Sequence, residues 1–493
     1  MQELKYWQTK IADKRKQTSF RDFLLEICSW YPSSLHKNNG LISKFPDTPR
    51  VKKIIPNSEF EKNRDALVND IFEYDFEETF FENFRKLFMS IDMFHICHYW
   101  ENVNCDFWES VLNGKNVYLS FGIISDCENI WYSVSIKDNC QAVFNSIMVQ
   151  QSQYTYCTSD ISESYNVFYS RYIGNSNNIW FSTNLVGCSE CIGCDNLDNE
   201  KYCINNIQYE KAEYLRLKDE ILKDKEGFLK KYQDLKLGWN NIGCENVVWN
   251  ALFNCFDVDD SMHSFNTKWG KNLIFCGWAL WVEEAYDICG GWSPTARHIY
   301  GVAWVNGEHV YCGSHIIGSH IFYSYYLENC SYCIGCVWLK NKQYCILNKQ
   351  YSKDDWHRMA DKIFSQMEMD WVLWEFFPGE LNPFYFNDTM ATILWDFTKD
   401  EVTEKWYLWR EQEIKTDIPE WSDIIQTSDL DRYQWYDTDK NWKINPDILS
   451  KVIVDEKWNY YRIVRMEYDF LMKHALPLPE IHWIDRMKLN FWM

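Results

Sequence analysis

Two long stretches of the chain repeat small, apolar and polar residues every third place. Segments beginning at Cys127, Cys140, Ser152, Ser164, Ser176 and Cys188 read CENIWYS, CQAVFNS, SQYTYCT, SYNVFYS, SNNIWFS and CSECIGC; a further register starts at Glu200, so the spacing is 13 once and 12 thereafter. Place 1 is Cys or Ser, and place 4 is Ile130, Val143, Thr155, Val167, Ile179 or Cys191. Place 7 is Ser133, Ser146, Thr158, Ser170, Ser182 or Cys194, and place 10 is Ile136, Val149, Ile161, Ile173, Leu185 or Leu197. A continuous helix wants spacings of three and four, and a hairpin wants alternation with turn signals after each strand. A backbone that returns on itself every 12 residues instead stacks like places about 4.8 Å apart, giving four interior ladders. The expected fold is therefore mainly β, a parallel β-solenoid.

The period and the inward small residues resemble the 12-residue coil of beetle-type antifreeze solenoids, whose interior residues are smaller still. A 24-residue coil with the aromatics inside is the alternative. The array is duplicated with more drift: registers at Lys271, Ala285, Ala296, Gly307, Gly318, Cys330 and Lys342 are spaced 11 to 14, after an earlier unit at Cys244. The closing stretch CSECIGCDNLDNEKYCINNIQYEKAEY from Cys188 recurs as CSYCIGCVWLKNKQYCILNKQYSKDDW from Cys330. Between the arrays, Tyr209 to Leu235 carries periodic Leu, Ile and Phe in a charged run, the pattern of a helix. Ser352 with Asp355 starts a matching helix that includes Met359, Ile363 and Phe364. The organisation expected is a mixed N-terminal region over 1–115, a first array over 116–207, a helical connector over 208–240, a second array over 241–351, and a C-terminal helix with a mixed α/β region over 352–493.

Composition narrows the partners. The net charge of −21 argues against a nucleic-acid or anionic-membrane surface. No apolar run approaches the roughly 18 to 20 residues of a spanning helix, and Met1 to Lys16 lacks the apolar core of a secretory signal, so a cytoplasmic location is expected. In that compartment the 19 cysteines are thiols or metal ligands. Trp occurs 26 times against 19 for Gly, and several Trp fall at turn-like places: Trp338, which aligns with Asn196, and Trp292, Trp406, Trp442 and Trp458. Asn and Gly are the residues that enter a left-handed turn most readily. The pattern suggests UGA codons read as glycine by the source organism.

Three features could carry chemistry. The sets Cys188, Cys191, Cys194, Cys203 and Cys330, Cys333, Cys336, Cys345 have spacings compatible with four-thiolate zinc sites. The repeat register also places them in interior ladders, where Ser and Val stand one coil earlier, and this favours packing over metal. Asp287, His298, His309 and His320 share place 3 of successive coils, an outer edge that could hold a ligand or a divalent metal. Trp131, Phe144, Tyr156, Phe168 and Trp180, echoed by Phe275, Tyr300, Tyr311 and Phe322, form outward aromatic columns that need a cover: a helix, a subunit or a glycan. Asp257, Asp259 and Asp260 read as an acidic loop. No P-loop, dinucleotide fingerprint, HExxH or GxSxG elbow is present. These features point to a structural or binding solenoid, a scaffold for a protein partner or for self-association; the alternative is a carbohydrate-active or metal-dependent solenoid enzyme using the outer face of the second array.

The phrases CIGCVWLKNKQYCILNKQYSKDDW, EFFPGELNPFYFNDT, EKWYLWREQE and LPLPEIHWIDRMKL together resemble an uncharacterised family of Cys-rich, zinc-ribbon-associated repeat proteins of small-genome uncultured bacteria. The resemblance implies glycine at the Trp338 place and lineages that read UGA as glycine. Members carry zinc-ribbon cysteine pairs near both ends, whereas WNYYRIVRMEYDFLMKHALPLPEIHWIDRMKL has no Cys. No activity comes with the resemblance.

Overall fold

The computed structural model describes residues 2–15, 17–38, 40–67, 72–95, 98–99, 102–225, 227–235, 289–291, 302–305, 310–411 and 422–491. They form two compact units, each built from two stretches of chain: Met1–His98 with Trp239–Arg410, and Tyr99–Gly238 with Glu411–Met493.

The core of the second unit is a parallel β-solenoid. Gln141 pairs with Gln153, Gln153 with Tyr165, Tyr165 with Asn177, Asn177 with Ser189 and Ser189 with Lys201, all in parallel register. This spacing excludes a 24-residue coil. Stacking reaches upstream of the Asn116 start read from the sequence: Asp106–Leu112 pairs in parallel with Lys115–Ile124, and Val103 bridges Lys115 in parallel.

The backbone conformation explains the period of three. In the coil that begins at Ser152, the residues at places 3, 6, 9 and 12 are Tyr154, Cys157, Asp160 and Glu163, with φ of 56°, 50°, 56° and 48°. Each left-handed residue turns a corner, so a coil has four short sides with one inward and one outward residue per side. L-residues resist this conformation and Asn tolerates it best among those with a Cβ, which is why Asn recurs at corners. Stacked Asn side chains then bond along the axis: Asn166 Nδ2 donates to Asn178 Oδ1 at 2.9 Å, and Asn178 Nδ2 to Glu190 Oε1 at 2.8 Å. The 13-residue coils fit by placing two left-handed residues at one corner, Ser125 with Asp126 and Asp138 with Asn139.

Inside, Val143, Val149, Ile161, Val167, Ile173, Ile179 and Leu185 are buried, each stabilising the fold by about 1.5–3 kcal/mol. The Ser ladders do a different job. Ser152 Oγ donates to the Gln150 carbonyl at 2.6 Å and accepts the Ser164 amide of the next coil at 3.0 Å. Ser164 and Ser170 repeat the arrangement with Ser176 and Ser182. Each hydroxyl thus satisfies an amide of the next coil that the strand ladder leaves over in a dry interior, and adds a second donor to a carbonyl already bonded to a backbone amide, as Gln150 is to Glu163.

A hairpin closes the solenoid. Lys201–Ile204 pairs antiparallel with Ile207–Gln208 across Asn205 and Asn206, whose φ of 48° and 63° fit a type I′ turn. Asn206 clamps the Asp195 amide and carbonyl, both at 2.8 Å, and the helix Lys211–Lys223 follows.

The first unit ends its array in the same way. Val310–Ile334 and Gln343–Ile346 are parallel, with Ser331 opposite Gln343. Upstream, Val305 pairs with Ile316, the spacing of 11 expected between the Ala296 and Gly307 registers, whereas Cys289 pairs with Ala303, three residues beyond the place that the Ala285 and Ala296 registers predict. Leu347 and Asn348 make the closing turn, and Asn348 clamps Val337 as Asn206 clamps Asp195. The helix Lys353–Met369 follows, with Ser352 accepting the Asp355 amide at 3.2 Å. The helix Phe80–Ser90, started by the Thr79–Glu82 capping box, packs Phe80 on Tyr323 and Phe88 on Tyr325.

Candidate functional site

The aromatic columns lie on the outside of the coils and are covered by the chain itself. In the second unit Phe144, Tyr156, Phe168, Trp180, Ile192 and Ile204 are buried beneath Tyr214, Phe228, Tyr232, Phe470 and Leu476. Phe470, on the helix Arg465–Lys473, stands 4.4 Å from Phe144 between ring centroids. In the first unit Tyr311 stacks on Phe322 at 4.8 Å, and Phe322 packs on Phe364 of the following helix at 5.0 Å. Phe275 and Tyr300 lie outside the described residues. Among the described column residues Phe144, Tyr156, Phe168, Trp180, Tyr311 and Phe322 are buried, and Trp131 is partly buried.

The two cysteine sets sit in the lumen of the closing coils. Cys191 stands opposite Cys203, and Cys333 opposite Cys345, in the strand register. All eight are buried, and their thiols donate to nearby carbonyls, as Cys188 does to Val186 at 3.4 Å and Cys194 to Ile192 at 3.5 Å. A hydrogen bond with Cys191 lowers the Cys188 thiol to about 7, while bonds to Cys188 and Cys194 push Cys191 up. In the other set, the bond with Cys333 lowers Cys330, and burial with bonds to Cys330, Cys336 and Cys345 raises Cys333. Among the described residues, no group of three or more His, Cys, Asp or Glu is arranged to hold a metal ion.

Of the place-3 edge, Asp287, His298 and His309 lie outside the described residues, as do Asp257, Asp259 and Asp260. His320 turns a corner with φ of 56° and stacks on Tyr332 at 4.5 Å, which stacks on Tyr344 at 5.0 Å. The edge is an aromatic stack where it is described.

Sequence reasoning missed a buried polar cluster beneath the cover of the second unit. Arg486, on the helix Trp483–Phe491, forms an ion pair with Glu467 at 2.8 Å and donates to the Tyr156 hydroxyl at 3.0 Å. A cavity of about 20 Å³, room for one water, is lined by Tyr156, Cys157, Lys225, Phe228, Glu480 and Arg486 among others. Burial raises the Cys157 thiol to about 12 and lowers the Lys225 amine to about 8. Lys225 reaches the Leu222 and Ala475 carbonyls and stands 5.1 Å from the Phe228 ring centre and 5.2 Å from that of Trp442. Cation, carbonyls and rings together tie the connector helices to the C-terminal segment. Apart from Tyr156, which belongs to the aromatic column, no periodic pattern marks these residues, since Arg486, Glu467 and Phe228 come from three separate helices.

Two sides of the second unit's solenoid stay uncovered. Place 2 presents Gln153, Tyr165, Asn177 and Lys201, which are exposed, with Gln141 and Ser189 partly so, and place 11 presents Gln150, Ser162, Gly174 and Val186, all partly exposed.

No family model, curated protein or solved structure matches the chain. Among the described residues no helix is long and apolar enough to cross a membrane.

Proposed function

We propose that the protein is a binding scaffold whose solenoid presents a flat ladder of polar side chains to a protein partner. The observation that carries this is the division of the second unit's surface. The aromatic side is covered by the chain's own helices, whereas Gln153, Tyr165 and Asn177 are held one strand apart on an open side. Rigid backbone fixes those side chains before any partner arrives, so little ordering entropy is lost on association. The thiol-rich lumen suits a reducing compartment, in keeping with a cytoplasmic location. A photo-crosslinking residue at Gln153 or Asn177, introduced in native cells, is expected to capture a defined protein, either a second copy or another chain, while one at the covered Phe168 captures none. Absence of an adduct from both open positions ends this reading.

A further inference from the structure

Outside the stacked coils and their closing turns, the described non-glycine residues with positive φ are Trp371, Trp406, Lys440, Trp458 and Ala475. Three of these five are tryptophan, among the residues least suited to the conformation, since a bulky side chain on Cβ gains nothing there and Cβ itself meets the following carbonyl.

The surroundings of all three ask for glycine. The helix Lys353–Met369 ends in a Schellman arrangement: the Trp371 amide donates to Glu368 at 3.2 Å and the Val372 amide to Met367 at 2.9 Å. The helix Lys399–Glu404 ends identically, with the Trp406 amide on Thr403 at 3.0 Å and the Tyr407 amide on Val402 at 3.1 Å. Both Trp occupy the residue after the C-cap, the place where helices most often carry Gly. Trp458 turns a hairpin in which Asp455 Oδ1 accepts the Lys457 and Asn459 amides, each at 2.9 Å, and the Trp458 amide donates to the Asp455 carbonyl at 3.0 Å. The turn Asp437–Asn441 has the same bonds with Lys440 in the left-handed place. Such three-residue hairpins favour Gly there.

The side chains confirm the contrast with other tryptophans. Trp371, Trp406 and Trp458 are each 72% exposed. Trp356 and Trp442 are buried, donate their indole N–H to the Cys345 and Leu476 carbonyls at 3.2 and 2.9 Å, and do not have positive φ. Trp30 packs between Phe88, Tyr325 and Phe377. Trp442, which looks turn-like in the sequence, is thus a core residue. Trp338 differs from Trp371, Trp406 and Trp458: its φ is 62°, but it is buried at a solenoid corner, where Tyr169 and Phe181 also adopt positive φ. Trp292 lies outside the described residues.

We infer that residues 371, 406 and 458 are glycine in the protein as its own cell makes it, through UGA codons decoded by a glycine-charged tRNA, and that Trp30, Trp356 and Trp442 are true tryptophans encoded by UGG. The three exposed indoles are then absent from the native surface.

The gene and the native protein test this directly. The expected result is UGA at 371, 406 and 458 with UGG at 30, 356 and 442, and native peptides whose masses carry Gly at the first three positions. UGG at any of the three, or a native peptide with Trp there, overturns the inference. Stability gives a second readout on chain made with Trp at all six. W371G, W406G and W458G are each expected to raise the folding equilibrium constant roughly two- to fivefold, the relief of the left-handed Cβ exceeding the entropy that Gly adds to the unfolded chain. W356G and W442G are expected to lower it strongly. A lowered constant for the first three counts against the inference.

Discussion

Ser176 Oγ accepts the amide of Cys188 at 3.0 Å and donates to the Gly174 carbonyl at 2.7 Å. One buried hydroxyl therefore joins two coils where strand pairing alone leaves the Cys188 amide over. Ser176→Ala strands the Cys188 amide in a dry lumen, while the Gly174 carbonyl keeps the Gly187 amide, and is expected to cost about 1–3 kcal/mol, read as a lower urea midpoint with unchanged slope. Ser176→Cys is expected to fall between, since the Cys188 thiol still reaches the carbonyl two residues back, at 3.4 Å.

The cover of the second unit depends on Phe470, which is buried and contacts Phe144, Phe168 and His474. Phe470→Ala is expected to lower stability by about 3–5 kcal/mol. Because the removed ring faces the aromatic column, binding of an apolar dye is expected to rise in parallel.

Asp160 is one of the carboxyls, with Asp388, Glu375 and Glu480, whose titration works against the fold as pH rises. Burial raises its carboxyl to about 8, against the opposing pull of Arg171. The folded state keeps a proton that the unfolded chain gives up near its ordinary value of 3.8. The fold therefore loses stability as pH climbs from near 4 to near 8, and the loss levels off above that. Asp160→Asn is expected to flatten this decline and to be the more stable protein at pH 9. Denaturation at pH 5, 7 and 9 checks the sign.

Glu467 and Arg486 are both buried, so neither charge has water to fall back on. Arg486→Met alone leaves an uncompensated carboxylate and is expected to cost about 3–5 kcal/mol. Joining it to Glu467→Leu is expected to recover most of the loss, which a double-mutant cycle measures.

The lumenal thiols hydrogen-bond to one another and to carbonyls, as Cys188 does to Cys191 and Val186. Chelator treatment of purified protein is expected to leave the unfolding midpoint unchanged and to release no stoichiometric zinc. Zinc at one or two equivalents, lost together with stability, would replace the packing account of Cys188, Cys191, Cys194 and Cys203 with a structural metal.

The ladder was readable in the chain because each interior residue packs on its own counterpart one coil away. Val143 over Thr155 over Val167 is a local, repeated constraint, and repetition is visible in a string of letters. The left-handed corners were not readable as such. Asn marks some of them, but Tyr154, Cys157 and Tyr169 stand at others, held there by stacking and not by their own preference. The Trp at helix ends needed the cap hydrogen bonds before Trp371 could be separated from Trp442.

The sequence alone determined the 12-residue period and the duplicated closing stretch, because those rest on contacts repeated at a fixed separation; that one period makes one coil, with the aromatics outside, came from the strand register. Only the tertiary structure decided which segments cover which array. Asn490 Nδ2 donates to the Asn145 carbonyl at 2.8 Å, and Tyr323 reaches the Leu373 carbonyl. Such pairings depend on surface complementarity between distant stretches of chain, for which no period exists to be read.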